Sequence, residues 1–389
     1  MVSKFDKAIF IIGSTAVGKT KLGIDIAQSI NGEIISSDSM QIYQKASLMT
    51  AKPTLEEQSL IKHHLIDFLP LTTVNFCIRD YQKLALAAVD DITSRGKIPI
   101  FVGGTMYYVE SILYDKEFHE GGQYEAEENE IIQELKEVDE KFLNEDVNPR
   151  HVRNAYSFFK NTGIKPSDRK FDNKLRFENS VVIWLYCDTE ILRNRARKRI
   201  EGMIKEGGLE EIREVLENAH KEGYTKGVLQ SIGYKEFEEY LNNPSCLEEC
   251  IERLLTSTVQ YSRKQIRWIK NRMEPYFQVN KINTDNAEDW ASIRQQGIEA
   301  LNHSVSTLQV SIPKLESFNC ESCGVILRGK SEWDQHIKSS RHKRKQEAEI
   351  IDDELVRNCE MCDKQITGLV NWSKHVKSRK HMRRARKYK

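Results

Sequence analysis

The sequence predicts an α/β chain: a P-loop parallel-sheet core with a helical insertion, followed by two small ββα-like zinc fingers. Three observations carry this. The N-terminus holds a strand–glycine loop–helix unit, apolar strands alternate with amphipathic helices beyond it, and a Cys/His pattern recurs near the C-terminus.

Residues 7–12 form a short apolar run that reads as a buried strand. Gly13-Ser14-Thr15-Ala16-Val17-Gly18-Lys19-Thr20 then fits G-x-x-x-x-G-K-[ST] at every fixed position. Beyond it, Leu22, Ile26, Ala27 and Ile30 fall at helical spacing. The motif therefore has the strand–loop–helix context it needs. Its glycines let successive N–H groups turn onto an anion, the helix N-terminus adds partial positive charge, and Lys19 adds a full one. The Thr20 hydroxyl suits a Mg²⁺ that bridges phosphate oxygens. A ligand carrying a di- or triphosphate is expected here; its fate is open at this point.

At 389 residues the chain has room for two or three domains. The formal net charge of +1 says little about partners, but the distribution says more. Residues 117–146 are strongly acidic, whereas five of the last seven are Lys or Arg. Eight cysteines are too scattered for a secreted disulfide scaffold. Four form two C-x-x-C pairs, and Cys77, Cys187, Cys246 and Cys250 read as reduced structural residues. No apolar run approaches the roughly 20 residues of a membrane span. The first strand begins too early to leave room for a signal or transit peptide in this form of the chain, so a soluble protein of a reducing compartment, the cytoplasm, is expected. A monomer is expected as well.

Residues 32–37 read as a second buried strand, ending at Asp38-Ser39-Met40-Gln41. In an open parallel sheet, residues just past strand carboxyl ends line the ligand crevice, so Asp38 is placed beside the phosphate loop. There its carboxylate can hold a metal or act as a general base; a helix N-cap is the equal alternative. His63 and His64 read as surface histidines. Residues 79–95 form a helix with Leu84, Ala88 and Ile92 apolar, and 97–102 a third strand that ends in Gly103-Gly104-Thr105. From 113 to about 174 charged residues dominate, with helical patches at 131–143 and 152–159, which reads as an insertion carrying Arg150, His151 and Arg153 on one basic face. Residues 181–186 give a fourth strand. Arg195 and Arg199 follow at i, i+4, a spacing that suits either phosphate contacts or a solvated face. Helices are expected at 208–220 and 246–257. Residues 258–272 interleave Arg263, Lys264, Gln265 and Trp268 with apolar positions, a pattern compatible with RNA binding.

After a linker at 303–315, Cys320-x2-Cys323-x12-His336-x5-His342 recurs as Cys359-x2-Cys362-x12-His375-x5-His381, at a period of 39. Two thiolates and two imidazoles at this spacing make a closed tetrahedral Zn²⁺ site. Nucleic-acid binding, protein binding and a purely structural role all fit such fingers.

Taken together, Gly13–Thr20, Asp38-Ser39-Met40-Gln41, residues 50–53 and 64–67, Gly103–Thr105 with Tyr108, Thr162-Gly163, Arg195, Arg199 and Met203, residues 230–236, and Tyr261–Trp268 run in the order of one family. Over residues 8–275 the chain resembles the tRNA dimethylallyltransferases, in their eukaryotic form with a C-terminal finger. The resemblance implies transfer of a dimethylallyl group from its diphosphate to N6 of adenosine 37 in tRNA. It implies Asp38 as general base, with Gln41 near the adenine and Thr105 near the channel. Residues Gly13–Thr20 with Mg²⁺, together with Arg199 and Arg195, would hold the diphosphate. Ser39, Met40, Arg150, Arg153, Arg263, Lys264, Gln265 and Trp268 would meet the anticodon stem-loop. Relatives also work in mitochondria and nuclei.

The domains expected are a core over 1–112 and 175–302, the insertion over 113–174, and fingers over 316–347 and 355–386. Two departures stand out: Asn154 lies where the family often has Arg, with Arg153 one place earlier, and there are two fingers where relatives usually carry one. The competing readings are an adenylate isopentenyltransferase, a P-loop kinase or NTPase with Asp188 as its metal-site carboxylate, and an RNA-binding finger adaptor.

Overall fold

The computed structural model describes residues 7–115, 128–139, 149–168 and 174–304. In the C-terminal part it describes 317–346 and 356–381, apart from 324, 329, 341, 361, 368–370, 373–374, 377 and 379–380. Backbone contacts divide the chain into two units, residues 1–125 with 154–309 and residues 126–153 with 310–389.

The first unit is built on six strands: β1 (Ile9–Gly13), β2 (Gly32–Ser36), β3 (His63–His64), β4 (Ile98–Gly103), β5 (Val181–Tyr186) and β6 (Asn280–Asn283). They pair in the order β3-β2-β4-β1-β5-β6, every neighbour parallel. In register, Ile9 faces Ile100 on one side and Val181 on the other. A parallel sheet is covered on both faces, which is why its central strands are apolar without alternation. Side chains still alternate between two cores. Ile9 and Ile11 enter one with Leu22, Ile100 and Ile183, while Phe10 and Ile12 enter the other with Phe101, Tyr81 and Val182.

Four helices follow in the first half: α1 (Lys19–Ile30), α2 (Leu55–Leu60), α3 (Ile78–Ser94) and α4 (Met106–Leu113). The insertion carries α5 (Glu128–Val138) and α6 (Pro149–Thr162), and α7 (Thr189–Met203), α8 (Leu209–Glu222), α9 (Leu247–Arg272) and α10 (Trp290–Ala300) complete the series. The buried face of α3 runs Tyr81, Ala85, Ala88, Val89 and Ile92; Leu84, expected on that face, is 38% exposed. The helix and the basic segment expected on either side of residue 257 are one continuous helix, α9, held through its Thr-Ser-Thr stretch by buried Leu255, Val259 and Ser262. Strands β3 and β6 and helices α2, α4 and α10 have no counterpart in the sequence reading. β3 spans two residues, and β6 is an edge strand with one apolar residue, Ile282. His64 is no bare surface residue: its Nε2 lies 2.8 Å from the buried Glu33 carboxylate, which also holds Arg95 and Lys97. With two cations already on Glu33, this cluster is a charge pair network rather than a metal site.

In the second unit, β7 (Ser317–Cys320) and β8 (Val325–Arg328) form an antiparallel hairpin, followed by α11 (Lys330–Lys338). The second finger repeats the hairpin with β9 (Val356–Cys359) and β10 (Lys364–Thr367). No helix among the described residues is long and apolar enough to cross a membrane.

Candidate active site

The carboxyl ends of β1, β2 and β4 meet at a cleft of about 650 Å³ in the first unit, where ligands of open α/β sheets bind. β1 delivers Gly13, whose φ of +151° puts any added Cβ 2.4 Å from the Leu185 carbonyl oxygen. The chain turns through Ala16 and Gly18, both at positive φ, and enters α1 at Lys19. Thr15, Ala16, Gly18, Lys19 and Thr20 face the cleft. Gly13, Ser14 and Val17, grouped with them on sequence, lie behind: all three are buried, and Val17 packs into the core. Lys19 Nζ donates to the Ser14 carbonyl at 2.6 Å. Burial lowers the Lys19 pKa to about 8, with Asp38 opposing that shift and Arg199 adding to it.

β2 ends at Ser36, and Asp38 follows on the cleft wall. No helix starts there, so the N-cap alternative falls away; the Asp38 Oδ1 instead accepts the Met40 N–H at 2.9 Å. Burial raises the Asp38 pKa, against the pull of the Met40 N–H and the Lys19 charge. β4 passes so close to this turn that a Cβ on Gly103 would sit 2.2 Å from the Ser37 carbonyl oxygen. Thr105 closes the turn: its N–H donates to Ser37 O at 3.0 Å and its Oγ1 accepts the Ser39 N–H at 3.0 Å.

Two glutamines hold the walls together. Gln41 accepts from Ser36 Oγ at 2.9 Å and donates to Ala51 O at 3.0 Å. Gln265 of α9 accepts the Thr15 N–H at 3.1 Å and donates to Gly104 O at 2.9 Å. Gln265, grouped on sequence with the tRNA contacts, is therefore buried and spends both ends of its amide on the cleft's own frame. Tyr261, one turn earlier, lines the cleft, and burial with the nearby Asp38 pushes its pKa up to about 12, so it remains a donor at neutral pH.

The two arginines of α7 separate. Arg199 reaches Thr15 Oγ1 and the Ala51 carbonyl, both at 3.4 Å. Arg195 borders the same cleft but turns its Nη2 to the Thr284 and Asp285 carbonyls at 2.5 and 3.0 Å, so it braces the end of β6. Between them and the β2 turn lies an apolar lining from Met40, Met49, Ile200 and Met203. Arg263 and Lys264 are exposed on α9, and Trp268 is half-buried. Arg153 is exposed on α6, while the side chain of Arg150 lies outside the described residues. Asp188 caps α7, accepting the Glu190 N–H at 2.8 Å, and does not line the cleft. Nothing in the sequence pattern marks Trp290, yet a Cβ on Gly18 would meet its ring at 2.9 Å, so α10 backs the loop.

In the second unit the two ligand sets assemble as the spacing predicts, each within 4.8 Å. Cys320 and Cys323 Sγ lie 3.4 Å from His342 Nδ1, and Cys359 and Cys362 Sγ lie 3.5 and 3.6 Å from His381 Nδ1. His375 Nε2 and His381 Nδ1 are 3.2 Å apart. A tetrahedron with Zn–S of ~2.3 Å and Zn–N of ~2.0 Å has S–N and N–N edges of about 3.5 and 3.3 Å, so both sets fit zinc.

A crevice between glycine turns at the ends of a parallel sheet, walled by cations, two carboxylates and apolar side chains, has the make-up of a transferase site. The chain belongs to the IPP transferase family, which it matches over residues 41–272, and it matches the zinc-finger of C2H2 type over 318–342 and 357–381. It is 31% identical to the tRNA dimethylallyltransferase of Homo sapiens, over 86% of this chain and 84% of that protein. To that of Bacillus mycoides it is 37% identical, over 69% and 88%. Among solved structures, a eukaryotic dimethylallyltransferase acting on tRNA superposes with a TM-score of 0.74 at 27% identity, over 89% of this chain and 97% of that one. The full-length tRNA isopentenylpyrophosphate transferase of Bacillus halodurans gives 0.58 at 29%, over 76% and 97%.

Proposed function

We propose that this protein transfers a dimethylallyl group from dimethylallyl diphosphate to N6 of adenosine 37 in tRNA. The observation that carries the reading is Asp38 in one cleft with Lys19, Thr20 and Arg199. In this cleft the Asp38 carboxylate shares its surroundings with an apolar wall of Met40, Met49, Ile200 and Met203, which suits a prenyl tail better than a second phosphate acceptor.

In this reading the Thr15, Gly18 and Lys19 region and Arg199 take the diphosphate, and Met40, Met49, Ile200 and Met203 shelter the five-carbon chain. Among the described residues the cleft offers no cluster of three carboxylate or imidazole ligands, which suits Mg²⁺, an ion held by one or two protein oxygens with phosphates and water. Thr20 would hold it, and the ion would neutralise charge on the leaving group. The N6 lone pair attacks C1, the C1–O bond breaks, diphosphate departs with the bonding pair, and the N6 proton passes to the Asp38 carboxylate. A pKa raised by burial makes Asp38 a stronger base for a weakly basic amine. Thr105 and Gln41 fix the turn that carries Asp38. Lys19 and Arg199 oppose the charge that develops on the bridging oxygen, where preorganised donors act most strongly.

An adenine inside a helix cannot reach this cleft; one turned out of a loop can. The fingers, with structural zinc, and the exposed Arg263 and Lys264 supply positive surface for the tRNA. In this reading the protein acts as a monomer in the cytoplasm, with mitochondria and nucleus as the other compartments in which such an enzyme meets tRNA. Labelled dimethylallyl diphosphate offered with tRNA, AMP or ATP tests the reading. Label on tRNA adenosine is the expected result. Label on AMP would turn the assignment to an adenylate isopentenyltransferase, and ATP turnover without prenyl transfer would sink it.

A further inference from the structure

Outside the cleft, α4 and α9 leave the site side by side, α4 starting directly after Thr105 and α9 passing Gln265. On their shared outer surface one buried carboxylate organises three side chains. Glu110 of α4, with its side chain 4% exposed, accepts Trp268 Nε1 at 2.5 Å and Arg272 Nε at 3.1 Å on Oε1, and Arg272 Nη2 at 3.1 Å on Oε2. The Arg272 guanidinium lies over the Trp268 ring, 4.7 Å from its centroid, while its side chain stays 47% exposed. Tyr107 stands edge-on to the same ring at 6.2 Å and is 45% exposed. Burying a carboxylate to fix an arginine that remains at the surface costs desolvation, and packing alone does not require it.

The surrounding charge points to a polyanion. From Arg253 to Met273 the chain holds six Lys or Arg and no Asp or Glu. Arg263, Lys264, Arg267, Lys270 and Arg272 are all exposed. Trp268 and Arg272 follow Gln265 by three and seven residues, so the cluster begins about 4.5 Å and ends about 10 Å along the helix from the cleft frame. That is within reach of a nucleotide adjoining the one in the cleft.

We propose that Arg272, held over the ring of Trp268 and flanked by Tyr107, is a stacking ledge for the nucleobase next to the modified adenine in the RNA loop. Glu110 is its positioning residue. Guanidinium planes and aromatic rings stack any base without reading its sequence, so the ledge holds the loop open while the target base enters the cleft. This rests on the tRNA reading above and adds to it a second, separate base contact.

A double-mutant cycle with the full-length protein tests the ledge. Wild type, Arg272→Ala, Arg272→Lys and Glu110→Gln are assayed on an anticodon stem-loop, and on the same RNA made abasic at the position 5′ or 3′ to the target adenosine. On intact RNA, Arg272→Ala raises KM for RNA about tenfold or more, as loss of one stacked base does. KM for dimethylallyl diphosphate stays within about twofold, because the diphosphate contacts lie in the cleft and Arg272 lies outside it. On one of the two abasic RNAs that penalty falls below about twofold, because the base that stacks is already gone. Arg272→Lys, which keeps charge but loses the plane, does not restore the loss, and Glu110→Gln shows the same coupling in weaker form. An unchanged penalty on both abasic RNAs, or full rescue by lysine, overturns the ledge and marks Arg272 as a phosphate contact. If Glu110→Gln fails to fold, the Arg272 series decides the question. Absence of prenyl transfer to any RNA by the wild type would instead defeat the parent reading.

Discussion

The cleft and the fingers reach order by opposite routes. The cleft is closed by residues far apart in sequence: Gln265 bonds Thr15 across 250 positions and Gly104 across 161. Each finger is closed by residues at most 22 positions apart and by an ion. The cleft therefore inherits its precision from the whole sheet, whereas each finger is a local module whose stability depends on metal binding. A lesion in the core should spread to chemistry, while a lesion in a finger should stay local.

The largest effect expected separates chemistry from binding inside the cleft. Asp38→Ala should lower kcat by about 10²–10⁴-fold, the usual worth of a positioned base, with tRNA affinity within a few-fold. Wild-type-like single-turnover rates would remove Asp38 from the base role. Removing metal probes the other side of the comparison. Elemental analysis should find two zinc ions per chain, and chelation should release about 10 kcal/mol or more of folding energy per finger. It should weaken tRNA binding while the core melts at an unchanged temperature; a lowered core Tm would show that the two regions are not independent.

A smaller effect tests the long-range tie. Gln265→Leu leaves the Thr15 N–H and the Gly104 carbonyl without their partner, which should cost about 1–3 kcal/mol and raise KM for the diphosphate. Unchanged melting and unchanged KM would mean that the loop holds its shape without α9. The smallest is a pH effect. Lys19 must be charged to attract the diphosphate, and its pKa is lowered by burial to about 8. Since kcat/KM reports groups of the free enzyme, it should fall as pH rises through about 8. On the acid side it should fall as Asp38 takes up a proton, above the ordinary carboxylate range. Lys19→Arg should abolish the alkaline limb; its persistence would assign that limb to another group.

Much of this was legible from the chain. The strand–loop–helix unit is local, so its residues, limits and anion-binding character follow from spacing, and the buried strands β1, β2, β4 and β5 stand out as apolar runs. The continuous helix α9 was not legible, because Thr256, Ser257 and Thr258 are poor helix formers and only the buried face of Leu255, Val259 and Ser262 overrides them. Arg195 and Arg199 look equivalent at i, i+4, and only the position of the β6 end, at Thr284 and Asp285, turns one away from the phosphate loop.

The sequence by itself determined the zinc fingers, the glycine-turn loop and the family, because each rests on residues close together or on motifs in order. Position in the chain alone left the Asp38 carboxylate open between capping and chemistry, and the resemblance pointed to a general base. Tertiary structure removed the cap, by ending β2 without a following helix, and set Asp38 on the wall of the cleft that Lys19 also lines. It also decided that Gln265 frames the cleft and that Glu110 holds Trp268 and Arg272. The reason is physical: hydrogen bonds and charge coupling act over a few ångströms of space, and spacing along the chain reports that distance only within a turn or a hairpin.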